Sequence, residues 1–140
     1  MPARSYPVGA PVHVNVSAFR RQPLFGKAEL ASIVFELVAT HPQTIAACLM
    51  PDHLHWLIAD AKEMVTCIGR LKSYSTTVAW QQGHGGRLWQ RSFWDHVLRK
   101  DEDLSRVAQY IIENPVRKGI AQEALSYPYQ VLRPHRIHGS

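Results

Sequence analysis

A chain of 140 residues, 46% hydrophobic and 19% charged, has the length of one domain and enough apolar side chains for a core, which excludes a globally disordered protein. Sixteen basic against eleven acidic residues leave a net +5, an excess that favours an anionic partner without naming one. No apolar run reaches the roughly 18 residues of a membrane span, no signal-like segment opens the chain, and Cys48 and Cys67 lack a CxxC partner and read as buried free thiols, so a cytoplasmic protein is expected.

Residues 1–11, with Pro2, Pro7, Gly9 and Pro11, read as an irregular lead-in. Residues 12–19 alternate, with Val12, Val14, Val16 and Ala18 on one face and His13, Asn15, Ser17 and Phe19 on the other, which is a half-buried strand. From Lys27 to Thr40 the apolar residues Leu30, Ile33, Val34, Leu37 and Val38 keep helical spacing, and Pro42 stops the helix. Two strand-like runs follow, 44–50 and 53–60, around a Pro51-Asp52 turn. A long helix is predicted over roughly 62–82, with Met64, Ile68, Leu71, Ser75 and Val78 along one stripe and Gly83, Gly85 and Gly86 at its end. Residues 88–99 read as an aromatic-rich strand, and 101–114 as a last helix capped by Asp101 and closed by Pro115. The first six elements have the ferredoxin-like order, so the expected fold is α+β. It is a four-stranded antiparallel sheet with helices on one face, followed by a C-terminal helix. That order hosts many functions and names none.

Two patterns carry chemistry. His53 and His55 are two apart in a strand, so both project from one face while Leu54 points the other way. Such a pair is either a metal half-site or two histidines hydrogen-bonded on a sheet face. In the last helix Leu104, Val107, Ala108, Ile111 and Ile112 form the apolar stripe; Tyr110 lies well off it and Asn114, four residues on, at its edge. Tyr110 is either presented to a site or covers the helix flank, and Arg117 and Lys118 beyond it are a phosphate clamp or a solvated turn.

The segments MPDHLHWLI (50–58), WQRSFWDHVLR (89–99) and DEDLSRVAQYIIENPVRKGI (101–120) together resemble the HUH endonucleases, and within them the small single-tyrosine transposases of the insertion-sequence and REP-associated kinds. The resemblance covers about residues 12–130 and implies one such domain over 1–140. It implies Tyr110 as the catalytic nucleophile and His53, His55 and Asn114 as ligands of a divalent metal, Mg²⁺ or Mn²⁺ by the chemistry of a nitrogen and oxygen donor set. The hairpin turn carries Asp52 where Asn is common in that family, and Trp94 stands where Tyr is expected.

The implied reaction is a metal-dependent nick and strand transfer on single-stranded DNA near hairpins, through a 5′-phosphotyrosine. Arg20, Arg21, Arg70, Lys72, Arg91, Arg99, Lys100, Arg117 and Lys118 are candidate backbone contacts, with Tyr74, Trp89 and Trp94 as base-stacking aromatics. The partner is single-stranded or hairpin DNA. A homodimer sharing tyrosines and a monomer are both compatible with the resemblance, the compact frame favouring the dimer slightly. The rivals are a hairpin-binding protein of the same fold that does not cut, and an unrelated ferredoxin-like metal protein.

Overall fold

The computed structural model describes residues 6–137, so the first five residues of the expected lead-in lie outside it. The alternation at the start becomes strand β1 (Val12–Ser17), with Val12, Val14 and Val16 fully buried on one face and His13, Asn15 and Ser17 on the other. Helix α1 (Ala28–Thr40) ends as expected before Pro42, where His41 takes the extended backbone that a following proline imposes. Strands β2 (Thr44–Met50) and β3 (His53–Ile58) form the hairpin around Pro51-Asp52. Helix α2 (Met64–Gln81) follows a short turn capped by Asp60, and Gly83 leaves it with φ +91°, a conformation open to a residue without Cβ. Then come β4 (Trp94–Val97), α3 (Leu104–Ile112), the single turn α4 (Asn114–Arg117), β5 (Gln130–Leu132) and the single turn α5 (Pro134–Ile137).

The sheet order is β4-β1-β3-β2-β5, antiparallel throughout. The first four strands give the expected ferredoxin-like sheet, and β5 adds a fifth on the free edge of β2. Helices α1 and α2 pack on one face with Leu54, Trp56 and Ile58, and α3 packs on the other with Cys48, Met50 and Leu57. Both faces of β2 and β3 are therefore covered, and every residue of the two strands is buried. That is why these runs read as nearly continuous apolar sequence rather than alternation. Cys48 and Cys67 are free and buried, and burial pushes their thiols up to about 12 and about 11. Among the described residues no helix is long and apolar enough to cross a membrane.

Three expectations need correction. The aromatic strand predicted over 88–99 is confined to Trp94–Val97, with one isolated bridge between Ala18 and Trp89. Between them the Lys72 ammonium donates to the carbonyls of Gln90 and Arg91, at 2.8 and 3.1 Å, so a side chain takes acceptors that a ladder would have used. The last helix starts at Leu104 and its cap is Asp103, whose Oδ1 accepts from the Ser105 amide at 3.0 Å; Asp101 instead faces the Arg99 guanidinium. Pro115 does not close the chain's helical path but sits in the first turn of α4, where its missing N–H has no intrahelical acceptor to lose.

Buried polar contacts fix how the α1/α2 layer meets the sheet. The Trp56 indole donates to Thr44 Oγ1 at 2.9 Å, and that hydroxyl donates to the Val38 carbonyl at 2.7 Å, with both side chains fully buried. Thr44→Val keeps the shape and strands the indole N–H in the core. A loss of about 1–3 kcal/mol is expected, read as a lower midpoint in urea denaturation. An unchanged midpoint would mean that this pair contributes nothing.

Candidate active site

The geometry of the hairpin delivers the histidine pair. In the β1–β3 register His53 lies opposite Ser17 and His55 opposite Asn15, so the polar face of β1 and the two imidazoles share the side of the sheet that α3 covers. The rings of His53 and His55 are 4.8 Å apart, centre to centre, and nearly perpendicular. Each has its Nδ1 engaged. His53 Nδ1 meets Asp52 Oδ1 at 2.7 Å, and His55 Nδ1 meets His13 Nε2 at 3.0 Å. With the proton on Nδ1 in both rings, each Nε2 keeps its lone pair and can ligate a metal.

Electrostatics keep these rings neutral. Burial lowers His55 to about 3, helped by His53, His13, Arg117 and Lys118, and burial with the nearby His96 lowers His13 to about 4. Burial also lowers His53, against the opposing pull of Asp52. For Asp52 burial acts upward, yet His53 and Arg21 outweigh it and the carboxyl stays below its usual range. Neutral imidazoles and an ionised second partner are what metal ligation needs. In metal-free protein the unfolded chain takes up protons on these histidines below their ordinary pKa of about 6.5 while the folded chain resists them. Stability is therefore expected to be full above that pH and to fall by about 1–3 kcal/mol between pH 6.5 and 5. Urea midpoints measured in chelator would show it, and a flat profile would mean that the imidazoles are not shielded.

Helix α3 presents Tyr110 over this face. Its ring is half exposed, 6.3 Å from His55 and 6.5 Å from His13, edge-on to both. The Arg117 guanidinium lies 3.8 Å from the Tyr110 ring centre, and its Nη2 donates to the Tyr110 carbonyl at 2.5 Å and to Asn114 Oδ1 at 3.2 Å. The kink between α3 and α4 makes this possible by folding Arg117 back along the helix that carries Tyr110. Asn114 is buried and its Nδ2 has no partner among the described residues. Asn15 Oδ1 is likewise buried and unpartnered. Asn15 lines the cleft beside Tyr110, so its buried acceptor is open to a ligand there. Among the described residues no group of three His, Cys, Asp or Glu side chains is placed to hold a metal ion together, so His53 and His55 would need a further donor of another kind. Imidazole nitrogens with a free Nε2 lone pair are suitable donors for a divalent cation. The Asn114 oxygen accepts one hydrogen bond from Arg117 at 3.2 Å, which leaves it a second lone pair.

The candidate DNA contacts divide. Arg117, Lys118, Trp94 and, through Asp52, Arg21 surround the histidines. Arg20 and Arg21 both adopt left-handed backbone with φ 54°, which costs a residue with a side chain about 1 kcal/mol or more, and they are held there by Gln90 and by Asp52. Arg70, Lys72 and Tyr74 belong to α2, across the sheet from Tyr110, and Arg91 lines an outer groove with Lys72 and Trp80. Arg99 and Lys100 are exposed before α3, with Arg99 paired to Asp101 and Glu102. Trp89 is a correction: it is 4% exposed, packs on Phe25 and donates to Ser75 Oγ at 2.9 Å, so it is a core residue and offers no face to a base. Sequence reading passed over His13, Asn15 and Arg106, which line the cleft of about 560 Å³ beside Tyr110. The alternation of residues 12–17 had put His13 and Asn15 on a polar face, and only the β1–β3 pairing reveals what that face adjoins.

Fold and site together define an α+β domain in which a helix-borne phenol faces a strand-borne pair of neutral imidazoles. The chain belongs to the IS200-like transposase family, whose model, described as "Transposase IS200 like", matches residues 11–114. It is 31% identical over 100 residues to a protein of Haemophilus influenzae assigned as a REP-associated tyrosine transposase, covering 62% of this chain and 57% of that one. It is 25% identical over 84 residues to the REP-associated tyrosine transposase of Escherichia coli, covering 58% of this chain and 48% of that one. The chain thus spans about half the length of these curated relatives. A solved REP-associated tyrosine transposase bound to a REP hairpin overlays with TM-score 0.70 at 22% identity, over 93% of this chain and 81% of that chain. That overlay shows the shared fold.

Proposed function

We propose that this chain nicks and rejoins single-stranded DNA next to hairpins, with Tyr110 as the nucleophile. The observation that carries the reading is the half-exposed Tyr110 ring set 6.3 Å from His55 and backed by Arg117 at 3.8 Å. Family membership and the hairpin-bound relative support DNA, and hairpin DNA in particular, as the substrate class.

In the proposed reaction the Tyr110 oxygen attacks the scissile phosphorus as the phenolic proton is lost. The bond from phosphorus to the 3′ oxygen breaks, the 3′ oxygen gains a proton, and the 5′ phosphate stays on Tyr110. Attack by another 3′ hydroxyl reverses the step and joins that strand, so no nucleotide is consumed. His53 and His55, with Asn114 as the third donor, would hold a Mg²⁺ or Mn²⁺ ion, which supplies Lewis-acid polarisation of the phosphate when bound. Arg117 and Lys118 would neutralise the phosphate and orient it in line with the phenol. Asp52 and His13 engage the Nδ1 atoms of His53 and His55, which leaves both Nε2 lone pairs available to a metal. Tyr110 faces the histidines of its own chain, which supports a site completed within one subunit.

The test is incubation with end-labelled hairpin oligonucleotides from the gene's own flanks, with Mn²⁺ or with chelator, followed by a denaturing gel. A metal-dependent covalent protein–DNA adduct is expected. Hairpin binding with no adduct in either metal would replace this reading with that of a non-cutting binder.

A further inference from the structure

Beside Tyr110 the fold leaves an open cleft of about 560 Å³ between β1, β3, β4 and α3. We infer that this cleft is a nucleobase pocket: it takes one unpaired base next to the phosphate that Tyr110 attacks, stacks it on Trp94 and reads its edge with Asn15. The inference rests on the proposed DNA chemistry and adds a specificity site to it.

Four observations converge on that occupant. Trp94 is 53% exposed although it lies on a strand, with His13 edge-on at 5.1 Å and His96 nearly parallel at 6.3 Å, so a large aromatic surface stays open to solvent. Aromatic faces of this kind are where unpaired bases stack. Asn15 Oδ1 is buried and has no partner among the described residues, and Asn15 lines the same cleft. A lone acceptor calls for an N–H donor, and base edges supply one; an amide matches adenine best, through its N6 amino group and N7. Arg106 lines the cleft with its side chain 87% exposed, paired with Asp103 at 3.8 Å, and is available to a backbone phosphate. Tyr110 itself lines the cleft, so a base seated there is joined by one sugar to a phosphate within reach of the phenol. The volume is in the range of small-ligand sites and leaves room for a base with its sugar.

The test uses full-length Tyr110→Phe protein, which cannot be consumed by cutting, and the flanking hairpin oligonucleotide that gives the adduct with wild-type protein. Single abasic substitutions are walked along the strand on both sides of the cut. One abasic position is expected to weaken binding about tenfold or more, and adding Trp94→Ala should erase that difference, whereas Trp94→Phe should restore most of it. Asn15→Ala should flatten base preference at that one position with Mn²⁺ affinity unchanged. If wild-type protein forms the adduct but no single base matters, or Trp94→Ala weakens intact and abasic strands equally, the pocket is wrong and the Tyr110 chemistry stands. A fall in Mn²⁺ affinity in Asn15→Ala would assign its oxygen to the metal and overturn edge reading. If no strand binds and no adduct forms, both the pocket and the DNA reading fall.

Discussion

Tyr110→Phe is expected to abolish the covalent adduct, with a loss on the order of 10⁴-fold or more in nicking rate, while hairpin affinity changes by less than about twofold. The substitution removes one oxygen and little else. Tyr110 is half exposed and its ring contacts are to Arg117, His55 and His13, all of which a phenyl ring keeps. Thermal stability should therefore stay level, which separates a chemical loss from a folding defect. The other tyrosines are poorly placed to substitute: Tyr6 packs against the core cluster of the α1/α2 layer and donates its hydroxyl to Asp95 Oδ2 at 2.6 Å. Tyr127 donates its hydroxyl to the Leu49 carbonyl at 2.5 Å, and burial pushes its ionisation well above the phenol range. Tyr129 is half-buried against Phe35, and Tyr74 lies on α2 across the sheet. An adduct that survives in Tyr110→Phe at wild-type yield would remove the nucleophile from α3 altogether.

The features legible in the sequence were those that depend on local periodicity. Period two put His53 and His55 on one face, and period 3.6 put Tyr110 off the apolar stripe of its helix, so spacing gave the faces, while only the family resemblance implied roles for these residues. The features that were not legible depend on pairing between distant residues. His13 joins the site because β1 lies beside β3, forty-two positions away, and nothing within residues 12–17 announces it. Strand β5 is three residues long and its placement rests on Arg133, whose guanidinium reaches the carbonyls of Ala39, His41 and Thr44. Trp89 was read as a stacking aromatic because composition cannot separate a core indole from an exposed one. Its partner Ser75 was counted on the buried stripe of α2, and the structure shows the hydroxyl receiving the indole N–H. The helix-ending role given to Pro115 failed for a similar reason, since proline is compatible with the first turn of a new helix as well as with the end of an old one.

Asp52→Ala should weaken divalent-metal affinity about 10- to 100-fold, the usual cost of losing a carboxylate behind a ligating histidine, as measured by Mn²⁺ titration calorimetry on the DNA-free protein. Asp52 is the only hydrogen-bond partner of the His53 ring among the described residues, with Oδ1 at 2.7 Å, and its Oδ2 accepts from Arg21 at 3.2 Å. Arg21 in turn donates to Ser17 Oγ, and Ser17 is the cross-strand partner of His53. The carboxylate thus closes a ring of contacts around one imidazole, and it holds the proton on Nδ1. Without it the ring can shift its proton to Nε2, and the lone pair that the metal needs is lost. Asp52→Asn keeps an acceptor and removes the charge, so a loss of only a few-fold is expected if the hydrogen bond sets the tautomer, and a loss equal to that of alanine if the charge matters more. Equal affinity in all three proteins would show that His53 is oriented by packing alone. His55 provides the internal contrast, because its Nδ1 partner is the neutral His13 ring, which carries no charge to lose. His13→Gln offers that Nδ1 an amide oxygen instead, and should therefore cost less affinity than Asp52→Ala.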